Sequence, residues 1–254
     1  MELMAPRTIT VAGEPGLTRI TLARPDQGNG IDDVVIGELH AALDAAERDT
    51  ERPVVVLCGR DGVFSDGMNF AAAADNDASD GGAAFFDLLR RFTTVPRVVV
   101  AQVDGKVAGG GVGLVAAADL VHATERSTFA LPEALWGLLP CCVLPFLVRR
   151  IGFQKAYAAT LSTQAVSARE AHRVHLVDEL TERPEVALRQ LVFRLTRLDP
   201  AVVGDAKRYF GGFSGIDDGA KARAVGEFSR LMSSPAVRGR ISAFVHHGRY
   251  PWER

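Results

Sequence analysis

Asp104-Gly-Lys-Val-Ala-Gly-Gly-Gly-Val-Gly-Leu-Val-Ala-Ala-Ala-Asp119 follows a six-residue run, Val98–Val103, that is almost wholly apolar. The run reads as a buried strand. A turn comes next, and three consecutive glycines then open a helical pattern. Glycine lets the backbone approach a bound group without a Cβ in the way. The first turn of a helix carries unpaired N–H groups and partial positive charge, so a negative oxygen is favoured at Gly109–Gly111. Phosphate and a thioester enolate both meet that description, and the run alone does not choose between them. It lacks the Gly-Lys-Ser/Thr ending of a phosphate loop. No acidic residue follows at the distance a dinucleotide site requires.

Outward from this stretch the pattern alternates strand and helix. Thr8–Val11 and Leu17–Leu22 alternate apolar and polar residues around a Gly13–Gly16 turn. Ile31–Arg48 has helical spacing, with Ile31, Val35, Ile36, Leu39 and Leu43 on one face. Pro53–Cys58 is a continuous apolar strand of the kind found in sheets covered on both faces. Residues 59–74 read as a loop, residues 75–82 as a mobile Asp/Gly/Ser-rich segment, and residues 83–93 as a helix. Short strands are expected at 120–123, 128–130 and 177–180, and helices at 143–151, 153–161 and 167–172. Ser167 caps the last of these helices, with Glu170 three residues on. From Pro184 the chain reads as helices only: 184–198, 200–210, 217–232 and 235–247. The fold class is therefore α/β, a layered core with parallel strands over residues 1–195 and a helical region over 196–254.

Bulk composition narrows the function classes. The 254 residues are 24% charged and 47% hydrophobic with a net charge of −2, so neither nucleic acid nor an anionic membrane is an expected partner. No apolar stretch reaches the length of a membrane span. Cys58, Cys141 and Cys142 have no metal or disulfide spacing. The N-terminus lacks a basic-then-apolar signal pattern. A cytoplasmic location is expected. The six histidines show no ligand spacing; His246-His247 and Arg149-Arg150 both read as solvated helix faces.

Three features in order suit thioester chemistry. Gly67-Met68, at the end of a loop, offers a backbone N–H. Gly109–Gly111 offers another at a helix start. Two such donors on one carbonyl oxygen form an oxyanion hole. Glu133 sits among Leu131, Ala134, Leu135 and Trp136, and apolar surroundings raise a carboxylate's pKa toward neutral. Each also has a plain reading: an ordinary turn, tight helix–strand packing, and a helix-start carboxylate.

Together, in order, they resemble one family. Ile20-Thr-Leu-Ala-Arg-Pro25, Phe64-Ser-Asp-Gly-Met-Asn69, Val103–Gly111, Ala118-Asp-Leu-Val121, Phe129-Ala-Leu-Pro-Glu133, Trp136-Gly-Leu-Leu-Pro140 and Ser167-Ala-Arg-Glu-Ala171 are similar to the crotonase, or enoyl-CoA hydratase/isomerase, superfamily. The resemblance implies a spiral of ββα turns, a C-terminal helical trimerisation region, and a trimer or a dimer of trimers. It implies that the Met68 and Gly110 N–H groups polarise a thioester carbonyl. The acyl group would ride on the phosphopantetheine of an acyl carrier protein or CoA, with Gln27, Gly28, Asp66 and Asn69 along its path. No metal, nucleotide or redox cofactor is implied.

One departure selects a subclass. Hydratases of this family use two glutamates; here the second is Glu133, while Gly113 stands at the position of the first. A lone carboxylate can remove the proton alpha to a thioester and then protonate a departing 3-hydroxyl, or return the proton to C4. The segments Gly110–Asp119 and Trp136–Lys155 resemble dehydratases of polyketide β-branching cassettes. That resemblance implies conversion of 3-hydroxy-3-methylglutaryl-carrier protein to 3-methylglutaconyl-carrier protein. The alternatives are an enoyl-CoA hydratase or isomerase and, from another class, a non-catalytic acyl-thioester-binding scaffold. The residue that would hold a distal substrate carboxylate is not legible.

Overall fold

The computed structural model describes residues 8–70 and 78–253. Strand β1 (Ile9–Glu14) pairs antiparallel with β2 (Leu17–Leu22). Helix α1 (Asp33–Arg48) follows, its N-cap Asp32 accepting from the Val35 N–H at 3.0 Å. Then come β3 (Val54–Cys58), β4 (Val63–Ser65) and α2 (Ala78–Thr94), and next β5 (Val98–Val103), β6 (Lys106–Ala108) and α3 (Gly110–Ala117). A third turn begins with β7 (Leu120–Ala123) and β8 (Thr128–Ala130). Each turn lays one strand in each of two sheets. The larger has the order β1-β2-β3-β5-β7-β10 and the smaller β4-β6-β8-β9, with β9 at Val166–Ser167 and β10 at Glu179–Leu180. This is the ββα spiral.

β3 and β5 are buried along their whole length. Parallel strands covered on both faces have no solvent side to alternate with. One face packs on α1, α2 and α3 in the main core, which includes Leu39, Phe86, Leu114 and Phe146. The other carries Val54, Val56, Val98 and Val100 against Leu188 and Val192 of α8 (Pro184–Leu195) and Val203 of α9 (Pro200–Gly211). Helices α10 (Asp218–Met232) and α11 (Pro235–His247) complete the chain. Between β8 and β10 lie α4 (Glu133–Trp136), α5 (Leu144–Ile151), α6 (Phe153–Ser162) and α7 (Ala168–Arg173), the last capped by Ser167 as expected. None of the described helices is long and apolar enough to cross a membrane.

The structure revises the sequence reading in several places. Of the segment expected to be mobile, residues 75–77 lie outside the described residues, while 78–82 form the first turns of α2. Glycine is required there by packing: a Cβ on Gly82 would stand 2.7 Å from Phe228 of α10. β4, β6 and β9 were not expected. At two or three residues each they are too short to show a period, and pairing with distant strands defines them. Val177 and Asp178 precede β10 rather than belonging to it.

Arg149 is exposed, as read from the sequence, but the Arg150 side chain is only 9% accessible, and both guanidinium groups reach the backbone. Arg149 donates to the Ala116 carbonyl at 3.1 Å, and Arg150 to those of Ala118 and Leu176 at 3.0 Å. Arg150 also pairs with Asp178. The two guanidinium groups cap the C-terminal end of α3, where the dipole favours cations. Replacing Arg150 by methionine is expected to cost about 2–3 kcal/mol, because two carbonyls and a carboxylate lose their donor. Urea unfolding checks this.

Candidate active site

The loop after β2 is pinned before any catalytic group is placed. The Asn29 side chain accepts from the Arg24 N–H at 2.8 Å and donates to the Val63 carbonyl at 2.9 Å. Asp66 N–H donates to the Gly28 carbonyl at 2.7 Å. A Cβ on Gly28, whose φ is +63°, would lie 2.9 Å from Asp66 Oδ2. Lys106 Nζ sits 3.1 Å from that same carboxylate oxygen. Asn69 reaches toward Asp32, which Arg24 holds at 2.8 Å.

This scaffold aims one amide. Ile31 N–H donates to the Gly67 carbonyl at 2.8 Å, and Asn69 N–H donates to the Ile31 carbonyl at 3.0 Å. Along a ladder, the N–H groups of successive residues alternate sides. Met68 N–H therefore points away from Ile31, and no acceptor among the described residues takes it. Gly67 makes the bend with φ +91°, and a Cβ there would stand 2.9 Å from Gly110 N. The two backbones thus touch at this point. Gly110 is the first residue of α3, so its N–H has no partner within the helix. Gly109, with φ +53°, turns the chain into the helix while its own N–H donates to the Ala130 carbonyl at 3.0 Å. The Gly67–Met68 turn and the start of α3 at Gly110 therefore lie side by side.

Glu133 opens α4 across from them. Its Oε1 would lie 3.2 Å from a Cβ on Gly109. Its Oε2 is buried without a hydrogen-bond partner among the described residues. Burial pushes the carboxyl pKa up to about 7. The base form therefore accumulates as pH rises through 7, and proton abstraction should fall roughly tenfold per unit below it. Stability runs the other way. The folded pKa lies above the unfolded one, so the contribution is complete below about 4.5 and is lost as pH rises toward 7. Pre-steady-state rates and thermal melts between acid and alkaline buffer check both signs.

Gln27, Gly28, Asp66, Met68, Asn69, Gly110 and Glu133 all line one cavity of about 880 Å³. Gly113 does not; a Cβ there would meet Val143 Cγ2 at 2.9 Å and Leu89 Cδ1 at 3.2 Å. The place of a second glutamate is filled by apolar side chains. The cavity also takes in residues the sequence did not single out: Lys106, Phe85, Phe244, Tyr250 and Trp252. Lys106 lies inside the glycine stretch, but its pairing with Asp66 depends on β4 beside β6. For the C-terminal aromatics, only their density marks them.

The model of the enoyl-CoA hydratase/isomerase family matches residues 12–225. The chain belongs to that family. Among relatives of the family, this hydratase/isomerase chain is 35% identical over 258 residues to the bacillaene synthase dehydratase PksH of Bacillus subtilis, spanning 100% of this chain and 99% of the relative. It is 28% identical over 208 residues to the 2,3-dehydroadipyl-CoA hydratase of Escherichia coli, across 79% of this chain and 80% of that one. The crystal structure of a polyketide biosynthesis enoyl-CoA hydratase (pksH) from Bacillus subtilis superposes with a TM-score of 0.90 at 34% identity, over 97% of this chain and 100% of the other. An enoyl-CoA hydratase from Mycobacterium avium gives 0.87 at 28% identity, over 97% and 99%. This enoyl-CoA hydratase/isomerase family member thus combines the ββα spiral with Glu133 beside the Gly109–Gly110 turn and glycine at 113.

Proposed function

We propose that the chain is a polyketide-pathway dehydratase that removes water from a 3-hydroxyacyl thioester, 3-hydroxy-3-methylglutaryl-carrier protein being the substrate and 3-methylglutaconyl-carrier protein the product. The observation that carries this reading is Glu133 beside the Gly109–Gly110 turn, its Oε2 buried without a hydrogen-bond partner among the described residues, with Gly113 sealed by Val143 and Leu89. The full-length similarity to PksH supports it. The Met68 and Gly110 amides receive the thioester oxygen. Glu133 takes the proton from Cα, and the electron pair moves into the enolate. The resulting carboxylic acid then gives that proton to the 3-hydroxyl on the same face. The C–O bond breaks, the enolate electrons form the Cα–C3 double bond, and water leaves. The step uses no metal, nucleotide or redox cofactor. Gln27, Gly28, Asp66 and Asn69 flank the pantetheine arm.

The protein acts in the cytoplasm as a trimer or a dimer of trimers in this reading. Phe193, Tyr209, Phe210 and Phe213 support assembly, since each is more than 60% exposed on the C-terminal helical side. Incubation with 3-hydroxy-3-methylglutaryl-carrier protein beside crotonyl-CoA tests the reading by mass spectrometry. Loss of one water from the carrier-bound substrate, faster than hydration of crotonyl-CoA, is expected. The reverse preference makes the protein an enoyl-CoA hydratase. A partner-free scaffold would do neither.

A further inference from the structure

The C-terminal helix does not end the chain's contribution to the site. Gly248, with φ +64°, closes α11: its N–H donates to the Phe244 carbonyl at 2.8 Å, and Arg249 N–H to that of Ala243 at 3.4 Å. The chain then turns back as Tyr250-Pro-Trp252. Glu253 locks this turn, its N–H donating to the Tyr250 carbonyl at 3.1 Å and its carboxylate accepting from Tyr250 N–H at 2.9 Å. Among the described residues no hydrogen bond ties Tyr250 or Trp252 to the body of the fold. Aromatic contact does so instead. The two rings stack on each other at 4.9 Å, and Trp252 meets Trp136 edge-on at 5.9 Å. Phe244 bridges Tyr250 at 4.9 Å and Trp136 at 5.2 Å, while Phe70 lies 4.7 Å from Trp136.

This cluster touches both catalytic loops. Trp136 shares the single turn of α4 with Glu133, and Phe70 follows Met68 by two residues. Tyr250 and Trp252 also line the cavity. The remaining cavity wall divides by chemistry. Gln27, Asp66 and Lys106 gather at one part, where the amides and phosphate of a pantetheine arm find polar partners. Phe70, Trp136, Phe244, Tyr250 and Trp252 make another part, whose rings suit the hydrocarbon of an acyl group.

We infer that the Tyr250–Trp252 strap is the wall that limits acyl size, so that these two rings are specificity-determining residues. This rests on the acyl-thioester reading of the site. A hydrophobic wall discriminates by about tenfold or more per methylene it excludes.

The test uses binding, so that it does not depend on turnover. Unreactive pantetheine thioethers of butanone and of decanone are titrated calorimetrically into the full chain and into Trp252→Ala, Tyr250→Ala/Trp252→Ala and Trp252→Phe. The native protein should favour the shorter ligand. The alanine variants should shift the ratio of the two Kd values at least tenfold toward the longer one, and Trp252→Phe should keep the native ratio. Parallel weakening of both ligands, or an unchanged ratio, overturns the inference and places the strap on the carrier side. Should the double variant fail to fold, Trp252→Ala alone decides, because Trp252 is half exposed and its loss leaves the core intact. Absence of dehydration with the discrimination retained strikes only at the proposed function.

Discussion

Glu133→Gln is expected to reduce dehydration by about 10³- to 10⁴-fold while the fold survives. Glu133 is the carboxylate placed beside the Gly109–Gly110 turn, and Gly113, where a second glutamate could stand, is packed under Val143, Leu89 and Phe85. Glutamine keeps the shape and cannot accept the Cα proton. The same change should stabilise the protein above neutral pH. At pH 8 the native carboxylate is ionised in a site that raises its pKa to about 7, and glutamine removes that desolvated charge. The gain is up to about 3 kcal/mol. It should shrink as pH falls toward 4.5, where the native side chain is neutral in both states. A variant that is inactive and yet melts higher in alkaline buffer separates a lost base from a damaged fold.

Gly110→Pro is expected to lower kcat by about 10²- to 10³-fold, the cost of one oxyanion donor. Proline deletes the amide hydrogen and puts its ring Cδ in that place, so the donor is lost and the oxygen's seat is narrowed. Gly110 is the first helical residue, where proline is tolerated because that N–H is not used within the helix. The added Cβ would meet Ile31 Cδ1 at 3.1 Å and Phe85 Cζ at 3.4 Å, both ends of side chains that can move. Gly67→Ala is a blunter probe. It combines φ +91° with a Cβ 2.9 Å from Gly110 N, so it displaces both amides and strains the backbone at once. Single-turnover rates of Gly110→Pro, beside its unfolding midpoint, check that chemistry and not stability is lost.

The glycine-opened helix and the buried Glu133 of the candidate site were legible because each follows local rules. Glycines at 109–111 open a helix, and Glu133 stands in an apolar segment whatever surrounds it. Burial of its Oε2 then raises the pKa in the expected direction. The long strands and amphipathic helices were legible for the same reason. β4 and β6 were not, since three residues carry no period, and the Gly67–Gly110 approach they create is a property of the smaller sheet. The capping role of Arg149 and Arg150 was hidden because charge alone does not report a helix end beneath it. Their carbonyl partners at Ala116 and Ala118 come from a segment more than thirty residues away. The aromatic strap was hidden by the same kind of distance: Trp252 and Trp136 meet only once α11 has packed against α4.

The proposed chemistry depends on Glu133 and two main-chain amides acting on one thioester. Exchange of the alpha protons of an acyl-pantetheine lacking the 3-hydroxyl, followed by mass in heavy water, isolates that step from water loss. Exchange by the native protein should rise with pH through about 7, slow in Gly110→Pro and disappear in Glu133→Gln. Native-rate exchange in Glu133→Gln, or none in the native protein, contradicts it.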